Sequence, residues 1–273
     1  MTPTNRGELL ARGRTAEVYA WSNNQVLKLF FDWCPPAWIQ REVDLGRSLA
    51  STSLPTPRLL DTVSLDGRKG IIFDRVEGPS MLSLLSTRPW LLSRMAHRFA
   101  ELHSAIHDNT AANLPPLRAY LHTSISKAEA LPSALKGHAL SSLAGLADGE
   151  ALCHFDFHPD QVVITQQGPM ILDWMTALQG NPLADVARTS VLIRFAQAPY
   201  ANWLMRSATD LVRRAFNDRY LSRYMRLHPE VTLSDLQAWM VPAAAARIGD
   251  NVPGEKEQIL TFLKASLERP MAA

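Results

Sequence analysis

The spacing of apolar residues changes near Gly78, and this change limits the folds that the chain can adopt. Before Gly78, short apolar runs are separated by turn residues, as in residues 16–21 and 25–31, which flank an Asn-Asn turn. Asparagine favours the left-handed turn conformation, so this arrangement predicts a β-hairpin. After Gly78, apolar residues recur at helical spacing, as in residues 91–107. The sequence therefore predicts a strand-rich part followed by a helical part.

The strand-rich part is expected to hold a second hairpin and one helix. The hairpin comprises residues 59–65 and 70–76, with a turn at Asp66-Gly67. Pro35-Pro36 is expected to open the helix, because proline is tolerated in the first helical turn. The apolar face of this helix is predicted to consist of Trp38, Ile39, Val43 and Leu49, with Glu42 on the same face.

We predict an α+β fold from this organisation. Residues 1–77 form a small antiparallel sheet with one helix, and residues 78–273 form a larger, mainly helical part. A further hairpin, QVVIT and MILDW with a turn at Gln167-Gly168, interrupts the helical part. Asn181-Pro182 is then expected to begin a helix, with asparagine as the N-cap and proline in the first position.

The composition restricts the class of protein. Apolar residues make up 47% of the chain, enough for a packed core, and the net charge of +2 gives no reason to expect nucleic acid or a membrane as a partner. Cys34 and Cys153 form no CxxC pattern and suit a reducing compartment. No apolar signal segment and no run of about 18 apolar residues is present. A cytoplasmic protein is expected, either a monomer or a homodimer.

The segment CHFDFHPDQVVIT, residues 153–165, places titratable groups at alternate positions before an apolar run. Three interpretations are open: a metal cage, a phosphoryl-transfer loop, or the solvated edge of a loop. On a strand, His154, Asp156 and His158 would point the same way and could hold zinc. However, Pro159 follows at once and favours a loop, so the geometry of a strand cannot be assumed.

A phosphoryl-transfer site would use more of the chain. Asp156 would orient or deprotonate an attacking hydroxyl, while Gln161 offers an amide oxygen and Asp173 ends the next strand. A hairpin returns its end to near its start, so Gln161 and Asp173 could share a Mg²⁺ ion on nucleotide phosphates. Lys28, with Glu42 as its anchor, would supply a cation for the phosphates.

The motifs in this order resemble those of the aminoglycoside phosphotransferase family, a group of kinase-like small-molecule kinases. The residues that carry the resemblance are HFDFHPDQ at 154–161, ILDW at 171–174, GNPLADVA at 180–187, VLKLF at 26–30 and REVDLGRSL at 41–49. The resemblance implies a protein-kinase-like bilobal fold and transfer of a nucleotide γ-phosphate to a hydroxyl of a small molecule. It also implies Mg²⁺ and ATP as cofactors, with GTP as an alternative donor.

The resemblance assigns roles residue by residue. Asp156 would be the catalytic base, Gln161 and Asp173 would bind the metal, and Lys28 would pair with the phosphates and with Glu42. The linker from Phe73 through Asp74 to Val76 would meet the purine edge. The segment from Arg12 to Val18, with its single glycine Gly13, would cover the phosphates. Asp185 would be a buried brace for the catalytic loop.

Two features depart from the pattern of the family. Gln161 stands where asparagine is usual, and the phosphate loop has one glycine. The amide oxygen of glutamine is still a hard ligand for a metal, so we favour an active site over the alternative, a pseudokinase-like module that binds nucleotide without turnover. A metal hydrolase built on His154, Asp156 and His158 is a third alternative.

The acceptor is the least constrained part of the prediction. The C-terminal region, where this family completes its acceptor site, contributes side chains of both charges. They are Arg247, Asp250, Glu255 and Glu257. This mixture suits an acceptor that carries both charges, or a neutral polar one.

Overall fold

A computed structural model describes residues 6–22, 24–110, 113–196 and 203–268 of the chain. The chain divides into two units. The first unit comprises Met1–Thr87 and Pro159–Thr176, and the second comprises Arg88–His158 and Ala177–Ala273. The predicted functional division between residues 77 and 78 stays a prediction.

The first unit contains a five-stranded antiparallel sheet. Its strands are β1 (Leu9–Arg12), β2 (Ala16–Ala20), β3 (Gln25–Phe30), β4 (Leu59–Leu65) and β5 (Arg68–Asp74), in the order β1-β2-β3-β5-β4. Both predicted hairpins are confirmed. Asp66 (φ 51°) and Gly67 (φ 78°) both adopt left-handed conformations in the turn between β4 and β5, as a two-residue hairpin turn requires. In the other turn Asn24 has φ 59°, and Asn23 lies outside the described residues.

The predicted helix of the first unit is α1 (Pro36–Leu49), which begins at the expected proline. Ile39, Glu42 and Val43 are buried against the sheet. The prediction for Trp38 was wrong, because its side chain is 42% exposed.

The rest of the first unit consists of α2 (Met81–Thr87) and a hairpin of two short strands, β7 (Val162–Thr165) and β8 (Gly168–Ile171). The hairpin is confirmed, but its turn lies one residue earlier than predicted. Thr165 pairs with Gly168, so Gly168 already belongs to the strand. Short 3₁₀ helices, Pro159–Gln161 and Trp174–Thr176, flank the hairpin.

The second unit is mainly helical. Its helices are α3 (Leu92–His107), α4 (Leu117–Lys127), α5 (Ser133–Ala144), α6 (Pro182–Phe195), α7 (Trp203–Leu227), α8 (Leu233–Gly249) and α9 (Lys256–Glu268). As predicted, Asn181 caps α6, since its side chain accepts a hydrogen bond from the Leu183 N–H. Two three-residue strands, β6 (Ala151–Cys153) and β9 (Leu178–Gly180), pair with each other. They are too short to give a periodic signal in the sequence.

These elements confirm the predicted α+β class, with a small antiparallel sheet and a larger helical part. None of the helices within the described residues combines the length and the apolar character that a membrane span needs.

Candidate active site

Lys28 in the first unit joins two carboxylates. Its Nζ lies 2.7 Å from Oε1 of Glu42 and 2.8 Å from Oδ1 of Asp173. The Glu42 side chain is buried and that of Lys28 is 12% exposed, whereas that of Asp173 is 44% exposed. The predicted pairing of Lys28 with Glu42 is confirmed, and Asp173 is a second partner of the same ammonium group.

Local periodicity explains why these side chains meet. Along β3, Leu27 and Leu29 are fully buried on one face of the sheet, so Lys28 points to the other face. That face is covered by α1, where Ile39 and Val43 belong to the same apolar cluster as Phe30. Glu42 lies beside Val43 on the covered side of the helix and therefore reaches Lys28.

Burial and charge pairing affect the pKa values of Lys28 and Glu42 to different extents. Burial alone would lower the pKa of Lys28, but Glu42 and Asp173 outweigh it and raise that pKa above its usual value. Burial raises the pKa of Glu42, and the attraction to Lys28 offsets this only in part. Oε2 of Glu42 is buried without a hydrogen-bond partner among the described residues. Glu42 therefore depends on Lys28 as its main compensation for burial.

The hairpin brings the chain at Gln161 next to the segment that carries Asp173. The Leu172 N–H donates to the Gln161 carbonyl at 2.9 Å. Asp173 itself has φ 58°, a left-handed conformation that aspartate tolerates better than most residues. The expected proximity of the two residues along the backbone is therefore confirmed, while their roles as metal ligands stay predictions.

The other residues predicted to meet the nucleotide lie on the same sheet. Gly13 is in the turn between β1 and β2, and its N–H donates to the Ala16 carbonyl at 2.9 Å. The turn is shorter than the predicted loop, because Ala16 already belongs to β2. At the end of β5, Phe73 is packed against the apolar cluster under α1.

The linker after β5 leaves a backbone N–H available for a ligand. The Asp74 carboxylate accepts from Nε of Arg58 at 2.8 Å, and its N–H donates to the Arg58 carbonyl. The Val76 N–H makes no hydrogen bond to another described residue. An available N–H on the linker is compatible with the predicted contact to a purine edge.

Asp156, the predicted base, lies in the second unit on the loop after β6. Its side chain is 30% exposed, and Oδ2 lies 3.8 Å from Nε2 of His158. The Asp156 N–H donates to Nδ1 of the buried His154 at 3.4 Å. Within the described chain, His154, Asp156 and His158 do not bring their ligand atoms together as a metal cage requires. The cage interpretation and the metal hydrolase that depends on it are therefore not supported.

Asp185 braces this loop, as expected. Its carboxylate is fully buried and accepts from the N–H groups of His154 at 2.6 Å and Phe155 at 3.0 Å. Thr189, one turn further along α6, donates from its hydroxyl to the Phe157 carbonyl at 2.9 Å. Helix α6 therefore holds the backbone on both sides of Asp156.

A buried network supports the Asp185 carboxylate from behind. Nε2 of His103 and Nε2 of His107 lie 3.1 and 3.3 Å from Oδ2 of Asp185. The Nδ1 atoms of the two rings lie 2.7 Å from the hydroxyls of Tyr220 and Tyr224, respectively. A carboxylate only accepts hydrogen bonds, so Nε2 of His107 donates to Asp185. Nε2 of His103 is buried close to the same oxygen but forms no hydrogen bond within the described residues.

Burial and the neighbouring His107 lower the pKa of His103 to about 4, so its ring is neutral at pH 7. Burial alone would raise the pKa of Asp185, but His103 and His107 lower it well below its usual range. The ligand atoms of these three residues lie within 4.8 Å of one another, as metal ligands would. A hydrogen bond to Asp185 accounts for the His107 contact, and both rings also pair with tyrosine hydroxyls.

The charged residues predicted for the acceptor site mostly pair with one another. Arg247 binds Glu255 through Nε at 2.6 Å and contacts Asp250 at 3.1 Å. Asp250 also pairs with Arg188 of α6. Arg188 and Glu255 are buried, whereas Glu257 is exposed. These groups form a compensated cluster inside the second unit rather than a set of open charges.

Several residues of this region were not predicted from the sequence. They are His103, His107, Arg188, Thr189, Tyr220 and Tyr224. A signal was present, because the two histidines are four residues apart within the apolar stripe of α3 and the two tyrosines are four residues apart in α7. Such spacing places each pair on one face of its helix.

Comparison with known proteins gives one family. A profile described as the phosphotransferase enzyme family matches residues 7–232. A search of curated proteins found no match.

Solved structures resemble this chain at low identity. A structure of an amicoumacin kinase in complex with AMP-PNP, Ca²⁺ and Ami is 14% identical, with a TM-score of 0.64, over 98% of this chain and 90% of that one. An aminoglycoside-3'-phosphotransferase of type VIII is 16% identical, with a TM-score of 0.63, over 88% of this chain and 91% of that one. A choline kinase from Cryptosporidium parvum Iowa II is 12% identical, with a TM-score of 0.57, over 96% and 88%, respectively. At these identities the likeness establishes a shared fold.

Proposed function

Because this chain belongs to the phosphotransferase enzyme family, we propose that it transfers the γ-phosphate of ATP or GTP to a hydroxyl group of a small molecule, with Mg²⁺ as cofactor. The contact of Lys28 with both Glu42 and Asp173 supports this proposal most strongly. A nucleotide-dependent kinase needs a fixed cation for the phosphates and a carboxylate for the metal.

The side chains present suit a nucleotide with Mg²⁺. Asp173 offers a half-exposed carboxylate and Gln161 an amide oxygen, and hard oxygen ligands of this kind are what Mg²⁺ prefers. When bound, Mg²⁺ would neutralise charge on the phosphates. Lys28 would bind the phosphates, held in place by Glu42. The Val76 N–H and the linker around Phe73 and Asp74 would orient the purine of the nucleotide. Gly13 lies in the turn that would cover the phosphates.

Asp156 would act on the acceptor. Its carboxylate takes the proton of the attacking hydroxyl as the new O–P bond forms and the bond to the leaving nucleoside diphosphate breaks. Asp185 and Thr189 fix the backbone on either side of Asp156. They would therefore position the catalytic base without touching the reacting atoms themselves. Positioning of this kind is the main protein contribution in phosphoryl transfer.

The acceptor is proposed to be a small hydroxylated molecule. The structural relatives include kinases whose names specify amicoumacin, aminoglycosides and choline, which are chemically diverse. A catalytically weak nucleotide-binding module is the second candidate, and the glutamine at position 161 in place of asparagine favours it.

Label transfer distinguishes these two functions. The protein is incubated with γ-labelled ATP or GTP, with and without Mg²⁺, and with a panel of aminoglycosides, macrolides, amino alcohols, sugars and nucleosides. The proposal predicts label on at least one compound class, only when Mg²⁺ is present. Tight binding of Mg²⁺-nucleotide with no transfer to any member of a broad panel would favour the binding module instead.

A further inference from the structure

The residue before Asp156 has an unusual backbone conformation. Phe155 has φ 65°, in the left-handed region where a side chain with a Cβ atom is disfavoured and glycine is not. The direction of the chain into Asp156 depends on this conformation. Contacts around Phe155 must therefore compensate for it.

Hydrogen bonds from α6 provide part of this compensation. Asp185 accepts from the N–H groups of residues 154 and 155, and Thr189 donates to the carbonyl of residue 157. These bonds restrain the backbone but do not contact the Phe155 ring. The ring is buried and packs edge-on against Tyr120, with 5.3 Å between the ring centroids.

Arg188 provides a further contact to the ring. It follows Asp185 by three positions on α6, so both side chains lie on the same face of the helix. The Cζ atom of its guanidinium lies 5.3 Å from the centroid of the Phe155 ring, within the range of a cation–π interaction.

The guanidinium is unusual in its hydrogen bonding. Arg188 is only 5% exposed, and its Nη2 is paired with Asp250. Nε and Nη1 are buried without hydrogen-bond partners among the described residues. Buried donors without acceptors are costly and call for a specific explanation. Besides Asp250, the contact that the structure records for this guanidinium is the face of the Phe155 ring.

We propose that Arg188 is a positioning residue for phosphoryl transfer: anchored by Asp250, it clamps the Phe155 ring and so maintains the left-handed backbone that aims Asp156. This inference rests on the proposed function, since it assumes that Asp156 is the base. It assigns the buried charge cluster at the end of α8 to support of the catalytic loop, in place of direct contact with the acceptor.

A double-mutant cycle with Arg188→Lys and Phe155→Gly tests the proposal. Lysine keeps the charge for Asp250 but loses the planar group that covers the ring. With Phe155 present, we expect Arg188→Lys to lower kcat about tenfold while the KM for nucleotide stays within about twofold, because the base is displaced rather than the nucleotide. In the Phe155→Gly background the same change should lower kcat by less than about twofold, because glycine adopts positive φ without support.

Arg194→Lys is the matched control, since it alters an exposed arginine of the same helix. Any effect of Arg194→Lys on kcat or on the melting temperature should be the same with phenylalanine or glycine at position 155. An equal loss of kcat from Arg188→Lys in both backgrounds would overturn the proposal, because Arg188 would then not act through Phe155.

Crystal structures of the wild type and of Arg188→Lys provide a readout that needs no acceptor. The expected result is that residue 155 leaves the left-handed region in the variant and keeps it in the wild type. A positive φ at residue 155 in both would contradict the inference. This comparison separates the two proposals, since a protein without transferase activity can still show the coupling between Arg188 and Phe155.

Discussion

The ammonium group of Lys28 lies 2.8 Å from the carboxylate of Asp173, a residue 145 positions away in the chain, and 2.7 Å from that of Glu42. One cation therefore serves two acids with different surroundings. Glu42 is buried, whereas Asp173 is half exposed. Under the proposed function, Asp173 would exchange its lysine contact for a metal ion, while Glu42 would keep Lys28 in place to meet the phosphates.

Lys28→Met is expected to weaken nucleotide binding by at least about tenfold, because a charge-assisted contact to the phosphates is lost. It should also lower the free energy of unfolding by about 3 kcal/mol, since Glu42 would be left buried without its cation. Fluorescence titration with nucleotide and urea unfolding measure the two effects.

The double variant Lys28→Met/Glu42→Gln separates the effect on nucleotide binding from the effect on stability. Removing both charges should recover most of the lost stability but none of the nucleotide affinity. Lys69→Met, which changes an exposed lysine on β5 of the same sheet, should alter neither. Recovery of nucleotide binding in the double variant would show that Lys28 has only a structural role.

Gln161→Ala should raise the Mg²⁺ concentration needed for half-maximal nucleotide binding by about tenfold, because one oxygen ligand is removed. Gln161→Asn keeps the amide on a shorter side chain and is expected to bind Mg²⁺ within about threefold of the wild type. Titration of Mg²⁺ at fixed nucleotide measures both variants. An unchanged requirement in Gln161→Ala would remove this residue from the metal site.

The free energy of unfolding should fall as the pH is lowered, because His103 in the buried histidine network resists protonation. The pKa of His103 is lowered to about 4 in the folded protein, against about 6.5 for an unperturbed histidine. Between these values the unfolded chain binds one more proton than the folded chain, so the free energy of unfolding rises with pH in this window. The expected loss between pH 6.5 and pH 4 is about 3 kcal/mol, at about 1.4 kcal/mol for each unit of pKa difference.

Urea unfolding at several pH values from 4 to 7.5 measures this dependence. In His103→Gln, the free energy of unfolding should rise less steeply with pH in this window, by the contribution of one proton, because the titrating ring is gone. His122→Gln, at an exposed position of α4, should leave the slope unchanged. A His103→Gln variant with the slope of the wild type would show that another group carries the acid sensitivity.

Local periodicity was sufficient to predict the direction of Lys28 and of Glu42 and the return of the chain from Gln161 to Asp173, but not the contact between Lys28 and Asp173. The alternation around Lys28, the helical stripe that includes Glu42 and the hairpin between Gln161 and Asp173 are all patterns within a few residues. Each fixes the direction of a side chain or the return of the chain. These local features can therefore be predicted without knowledge of the tertiary structure.

The residues that support the loop of Asp156 could be predicted from the sequence only in part. Asp185 was expected as a brace from the resemblance to a family, but its partners His103 and His107 come from another helix. Pairings of that kind depend on how helices pack, which a single sequence does not specify. The interpretation of Arg247 as an acceptor contact was unsupported for the same reason, since a charge that looks available in the sequence pairs with Glu255 in the fold.

Phosphoryl transfer by the wild type and by Asp156→Asn, at saturating Mg²⁺-nucleotide and with the acceptor that the label screen identifies, tests the central claim most directly. Asp218→Asn, at an exposed position of α7, is the matched control. We predict that Asp156→Asn lowers the rate by about 10²- to 10⁴-fold, as for loss of a general base, while the Kd for nucleotide is unchanged. A rate within about tenfold of the wild type would contradict the assignment of Asp156 as the base.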